Sequence, residues 1–164
     1  MVQLNLPDFE IKYTKTEGRI QIFDVLRKKY VALTPEEWVR QHFIHFLIDH
    51  RGYPTTYMAN EVAIKMNGMN RRCDSVVYRQ GVLPLQPLMI IEYKETNVPI
   101  TRKVIDQIYR YNTVLRVPYL VISNGLQHYC IAIDYDKEEY TFLEDVPRYE
   151  EIDLPPTPSF QNGK

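Results

Sequence analysis

The stretch Pro87–Asn97, "PLMIIEYKETN", decides how the rest of the chain is read. Leu88 to Ile91 are four apolar residues in a row, the pattern of a strand buried on both faces. Glu92 and Lys94 follow at once, with Tyr93 between them. Side chains alternate along a strand, so the two charged residues share one face and Tyr93 takes the other. Charges at the end of a buried strand need partners.

The nearest candidate lies upstream, in "RRCDSVVY", Arg71–Tyr78. Asn67-Gly68 is a strong hairpin signal, because both turn residues favour positive φ. It pairs Glu61–Met66 with Met69–Tyr78, sets Met66 opposite Met69, and therefore Glu61 opposite Asp74. If the Asp74 strand neighbours Leu88–Lys94, Asp74 and Glu92 meet at one end of a sheet. Carboxylates held close together are unfavourable without a cation among them. Lys94 supplies one positive charge, and a divalent ion would supply more. Hard oxygen ligands suit Mg²⁺ or Mn²⁺, so Asp74 and Glu92 are the candidate metal ligands. Such an ion would lower the pKa of a bound water and polarise a phosphoryl oxygen, with Lys94 orienting the water. The plainer reading of the three residues is a surface ion pair, and of Glu61 a bulge or a solvated strand end.

The flanks fix the order of elements. Phe9–Lys15 and Arg19–Leu26 read as an opening β-hairpin around "TEGR". In "LTPEEWVRQHFIHFLIDHRGYP", Thr34 is an N-cap, Pro35 fits the first helical position, and Gly52 and Pro54 end the helix near His50. Glu37, three residues after the cap, completes a capping box, and Val39, Phe43, Phe46 and Leu47 share one helical face. A second helix spans Thr101–Leu115, with a stripe of Val104, Ile108, Tyr111 and Leu115. "YLVIS", the turn Asn124-Gly125 and "LQHYCIAIDY" form another hairpin, and "EYTFLED" adds an edge strand. The order is α/β, an α+β mixed sheet with helices packed on it.

Composition agrees with one globular domain: 164 residues, 45% hydrophobic and 25% charged. The single domain is expected over residues 1–154, followed by an extended tail over 155–164. Cys73 and Cys130 are not in a CxxC pair, which argues against zinc and for reduced thiols. Without a signal-like or membrane-spanning run, a soluble cytoplasmic protein with no membrane partner is expected. The net charge of −1 conceals an asymmetry. Residues 1–133 hold 17 Lys+Arg against 12 Asp+Glu, and residues 134–164 hold 3 against 9. A basic body with an acidic end suits a polyanion partner, although an ordinary surface reads the same way.

In order, "TPEEWVRQ", "RRCDSVVY", "LMIIEYKE", "QIYRY" and "ISNG" resemble the N-terminal nuclease domain of type I restriction enzyme R subunits, within the PD-(D/E)XK nuclease group. The resemblance covers Leu26 to Asp134. It implies a restriction-endonuclease-like αβββαβ core over 26–134, with Asp74, Glu92 and Lys94 as catalytic residues and Mg²⁺ or Mn²⁺ as cofactor. It also implies that Gln107 and Tyr111, a Q-x-x-x-Y pair on one helical face, lie beside the site as accessory residues. Glu37 is the helical acid that the match to "PEEWVRQ" favours, although Glu36 lies closer to the Val39/Phe43 face.

The implied function is metal-dependent hydrolysis of DNA in restriction, defence or DNA processing, with RNA as an alternative substrate. The chain carries no P-loop, hence no ATP-driven translocase, and a homodimer is compatible with the resemblance. The rival reading is a non-catalytic nucleic-acid-binding or assembly module with the same fold. Arg71, Arg72, Arg79, Arg102, Lys103 and Arg110 surround the site in sequence as candidate phosphate contacts. His42 and His45, three apart, lack a third ligand to make a metal site.

Overall fold

A computed structural model describes residues 1–66 and 68–152, without the side chains of Met66, Met69, Arg71, Tyr111, Thr113 and Val114. Asn67 and the expected tail, 155–164, lie outside the described residues. The first elements are β1 (Tyr13–Thr16), β2 (Arg19–Asp24) and β3 (Lys29–Ala32), which form a small antiparallel sheet. The opening hairpin is thus shorter than its sequence suggests and gains a third strand. "KYVA" is too short to show a period of its own, and its pairing with β2 (Ile22↔Val31) supplies what the local pattern lacks.

Helix α1 (Pro35–Arg51) starts where expected, with Thr34 Oγ1 accepting from the Glu37 N–H at 3.0 Å. It ends on Gly52, whose φ of 72° is the left-handed value that glycine adopts without strain. The central sheet follows: β4 (Met58–Met66), β5 (Met69–Tyr78), β6 (Pro87–Tyr93), then α2 (Arg102–Leu115), β7 (Tyr119–Ser123), β8 (His128–Asp134) and β9 (Glu139–Leu143). A short helix, α3 (Tyr149–Ile152), closes the described chain. The strands lie in sequence order, β4 to β9. Neighbours are antiparallel except β6 and β7, which run parallel and require the crossover that α2 provides.

Two hydrophobic cores sandwich this sheet. On one face Val39, Phe43, Ile44 and Leu47 of α1 pack against Val77, Met89, Ile91, Tyr93 and Val121. On the other, Ile105 and Ile108 of α2 pack against Val76, Ile90, Leu120, Ile122 and Ile131. Leu88–Ile91 is buried on both faces for this reason, as its unbroken apolar run requires. The fold is the mixed α/β sheet with helices on it that the order of elements implies. Cys73 and Cys130 are buried and unpaired, and burial pushes the Cys130 thiol up to about 12. No helix among the described residues is long and apolar enough to cross a membrane.

The N-terminal segment closes over the end of the α1 core. Leu4 is buried against Val39 and Gly125, and the Asn5 N–H donates to Gly125 O at 2.8 Å. Gly125 has φ of 84°, and a Cβ there would stand 2.8 Å from Leu4 Cδ2. The glycine of the Asn124-Gly125 turn is therefore needed both for its backbone and for this close approach.

Candidate active site at the end of the central sheet

The β4–β5 ladder keeps one register along its whole length, from Met58↔Val77 to Met66↔Met69. It is the register that a two-residue turn at Asn67-Gly68 imposes. Yet both strands change face in the middle. Ser75 bonds Asn60 and Tyr93 on the α1 side, whereas Cys73 and Val62 pack with the α2 core. The switch falls at Glu61 and Asp74, which stand opposite each other between the rungs Asn60↔Ser75 and Val62↔Cys73. Glu61 takes φ of 57°, a left-handed value that costs a residue with a Cβ about 1–2 kcal/mol. Strain of this kind persists only where surrounding contacts hold it.

The contacts come from Arg40 of α1. Its guanidinium lies 2.6 Å from Glu61 and 3.6 Å from Asp74, and also 3.1 Å from Glu37 and 3.5 Å from Glu36. The side chain is 3% exposed. Burial opposes its charge, but Glu37, Asp74 and Glu61 outweigh that and raise its pKa. The cation that relieves the Glu61/Asp74 juxtaposition is therefore a side chain of the protein. Sequence reasoning passed over Arg40, although a signal was present. Arginine stands four residues before Ile44 and three before Phe43, at a position of α1 that the helical period makes inward-facing.

Behind Arg40 a polar network crosses the core. Tyr93 Oη donates to Ser75 Oγ at 3.1 Å, Ser75 to Asn60 Oδ1 at 2.6 Å, and Asn60 Nδ2 to Asp24 at 2.9 Å. Asp24 also accepts from the Leu26 and Arg27 N–H groups and pairs with the Arg27 guanidinium, which reaches Glu37 at 3.0 Å. Burial would raise the Asp24 pKa, but these donors override it and hold the carboxyl below its usual value. Tyr93, between the two charged residues of the motif, is thus the inward anchor of the strand end. Its ring lies 5.6 Å from the Arg40 guanidinium.

The acids of α1 divide between two tasks. Glu37, the residue favoured from sequence, is buried and engaged with Arg27, Arg40 and Gln41. Its side chain does not close the capping box, since the Thr34 N–H donates to Ala32 O. Glu36 instead faces the strand ends. Burial raises its pKa, and Asp74 and Glu61 raise it further against the opposing effects of Arg40 and Lys94.

Asp74 accepts a 2.8 Å hydrogen bond from the Tyr93 N–H. The rungs Ser75↔Ile91 and Val76↔Ile90 place it opposite Glu92, one step beyond the ladder. Glu92 is 8% exposed and, by alternation with Ile90, belongs to the α2 face of β6. The Lys94 N–H donates to Ser123 O at 2.9 Å, so this end of β6 is held from both sides. Asp74, Glu92 and Lys94 are therefore grouped at one end of the sheet. On α2, exposed Gln107 lines a cleft of about 600 Å³ with Lys103, Asp106 and Arg110. The Tyr111 side chain lies outside the described residues. His42 and His45 pack on Phe9, with centroids at 4.9 and 4.0 Å, and His42 also on Trp38.

The donor set has the hard oxygens and the surplus of negative charge that suit a divalent ion, and the raised Glu36 pKa registers that surplus. The arrangement is nevertheless closed around Arg40, and among the described residues no three His, Cys, Asp or Glu converge on a metal position.

No curated protein matches the chain. A solved fragment of a putative HsdR subunit of a type I restriction enzyme from Vibrio vulnificus YJ016 is similar over 73% of this chain and 24% of its own, with 19% identity and a TM-score of 0.49. Residues 35–147, well over half of the chain, match the model of the family described as type I restriction enzyme R protein N terminus, and the chain belongs to that family.

Proposed function

We propose that this chain is a divalent-metal-dependent nuclease domain that hydrolyses phosphodiester bonds of DNA in restriction or defence. The observation that carries the reading is the placement of Asp74 opposite Glu92, with Lys94 two residues further on and Glu36 facing them with a raised pKa. Asp74 and Glu92 would hold Mg²⁺ or Mn²⁺, which when bound acidifies a water and polarises a phosphoryl oxygen. Lys94 orients the attacking water and offsets charge gathering on the phosphate. The Tyr93 N–H fixes one oxygen of Asp74, so the carboxylate keeps its direction. Lys103 and Arg110 beside Gln107 offer phosphate contacts along the cleft. The test incubates plasmid and single-stranded DNA with Mg²⁺ or Mn²⁺, wild type beside Lys94→Ala. Cleavage by the wild type and not by the variant supports the reading.

One observation favours a second reading. Arg40 stands among the carboxylates, as it would in a module that binds nucleic acid without cutting it. Binding of DNA with no cleavage under either metal would select that module.

A further inference from the structure

We propose that Arg40 is an internal counterion that must release Glu61 and Asp74 before a divalent ion binds there. The inference rests on the metal-dependent reading above. A single guanidinium spans acids from three elements, Glu36 and Glu37 of α1, Glu61 of β4 and Asp74 of β5. Its contacts are of two kinds. Toward the core, Glu37 and the Tyr93 ring hold it where no solvent competes. Toward the strand ends it touches Glu61 and Asp74, whose side chains are 20% and 21% exposed. The outer pair can open while the inner anchors stay closed.

Two cations cannot share the outer position. A divalent ion on the oxygens of Asp74 and Glu61 would stand within a few ångströms of the guanidinium, where like charges repel strongly. Arg40 is also not fully satisfied as it stands, because its Nε is buried without a hydrogen-bond partner, as is the neighbouring Gln41 Oε1. A purely structural arginine at this depth would be expected to use all its donors. The arginine-closed arrangement lowers the fraction of molecules ready for metal and weakens apparent affinity by that fraction. It likewise stabilises the metal-free fold, which otherwise leaves four carboxylates facing each other.

The test uses the full chain without DNA. Mn²⁺ is titrated into wild type, Arg40→Met, Arg40→Lys and Asp74→Asn, and the fall of the free-Mn²⁺ EPR signal measures binding. Arg40→Met should bind Mn²⁺ about ten-fold more tightly or better, melt at a lower temperature without metal, and recover more on adding it. Arg40→Lys keeps a charge against Glu37 but cannot fork to both outer acids. It should also bind Mn²⁺ more tightly than wild type, and it decides the matter if Arg40→Met does not fold. Wild-type affinity in the folded Arg40 variants, with weakened binding in Asp74→Asn, would overturn the role of Arg40 and leave the metal reading standing. Absence of binding in every protein would remove both.

Discussion

The Asp74 carboxylate accepts a hydrogen bond from the Tyr93 N–H at 2.8 Å, which ties the acid of β5 to the backbone between Glu92 and Lys94. Asparagine at position 74 can still accept that bond, whereas alanine cannot. Asp74→Asn should therefore stay folded, and Asp74→Ala should be destabilised by roughly 1–3 kcal/mol as the amide is left without its acceptor. Denaturant unfolding distinguishes the two. Asp74→Asn should abolish cleavage and keep polyanion binding, because phosphate contacts come from lysines and arginines elsewhere. Wild-type cleavage by Asp74→Asn would strike Asp74 from the site.

Asp24 and Glu36 should respond to acid in opposite directions. Asp24 is fully buried and its pKa is lowered. Its contribution is complete above the unfolded value of 3.8 and is lost as pH falls through the folded pKa below it. Asp24→Asn should destabilise by about 3 kcal/mol at pH 7, because Arg27 is deprived of its closest partner. In urea titrations that gap should narrow below pH 3.8. Glu36 has a raised pKa, so its charge opposes folding at neutral pH, and the penalty is relieved as pH falls through its folded pKa toward the ordinary 4.5. The group is half-exposed, so after screening Glu36→Gln should stabilise at pH 7 by no more than about 0.5 kcal/mol. A gap for Asp24→Asn that stays constant with pH would show that the carboxylate charge is not what the network uses.

The cleft beside Gln107 should bind a polyanion through Lys103 and Arg110. Replacing both with alanine should weaken DNA binding evenly across sequences and reduce the slope of log K against log salt by about 0.9 for each phosphate no longer neutralised. The acidic end should act in the opposite sense. Glu138 lines a second cleft with Arg116, Tyr109 and Tyr135, and Glu150 pairs with Arg148. Neutralising Glu138, Glu139, Glu150 and Glu151 together should tighten binding, most at low salt. An unchanged slope in the Lys103/Arg110 double variant would take DNA away from this face.

Gly125→Ala should cost about 1–3 kcal/mol, because a Cβ meets Leu4 and Val39 and the left-handed backbone is strained for any L side chain. The effect should centre on the N-terminal segment, seen as faster amide exchange at Asn5, whose N–H is held by Gly125 O. Slow exchange at Asn5 in the variant would mean that the segment is held without this turn.

Much of the fold is legible because it is local. Thr34, Pro35 and Gly52 mark the ends of α1 by the needs of their own backbones. The pairing Met66↔Met69 follows from a two-residue turn and carries the register to Met58↔Val77 without further help. Leu88–Ile91 declares burial on both faces because each face meets a helix. The position of Asp74 opposite Glu92 follows from two such strands lying side by side.

What sequence could not settle depends on packing between distant segments. "KYVA" becomes a strand only because β2 offers it an edge. The simultaneous change of face at Glu61 and Asp74 leaves the register untouched, so alternation counted along either strand alone misses it. Glu36 and Glu37 are adjacent in sequence, and only the docking of α1 turns one toward Asp74 and the other toward Arg27. The juxtaposition of Glu61 and Asp74 already called for a cation between them. That the cation is Arg40 was decided by tertiary structure, because a helix residue 21 positions before Glu61 and 34 before Asp74 reaches both only after α1 packs across the sheet.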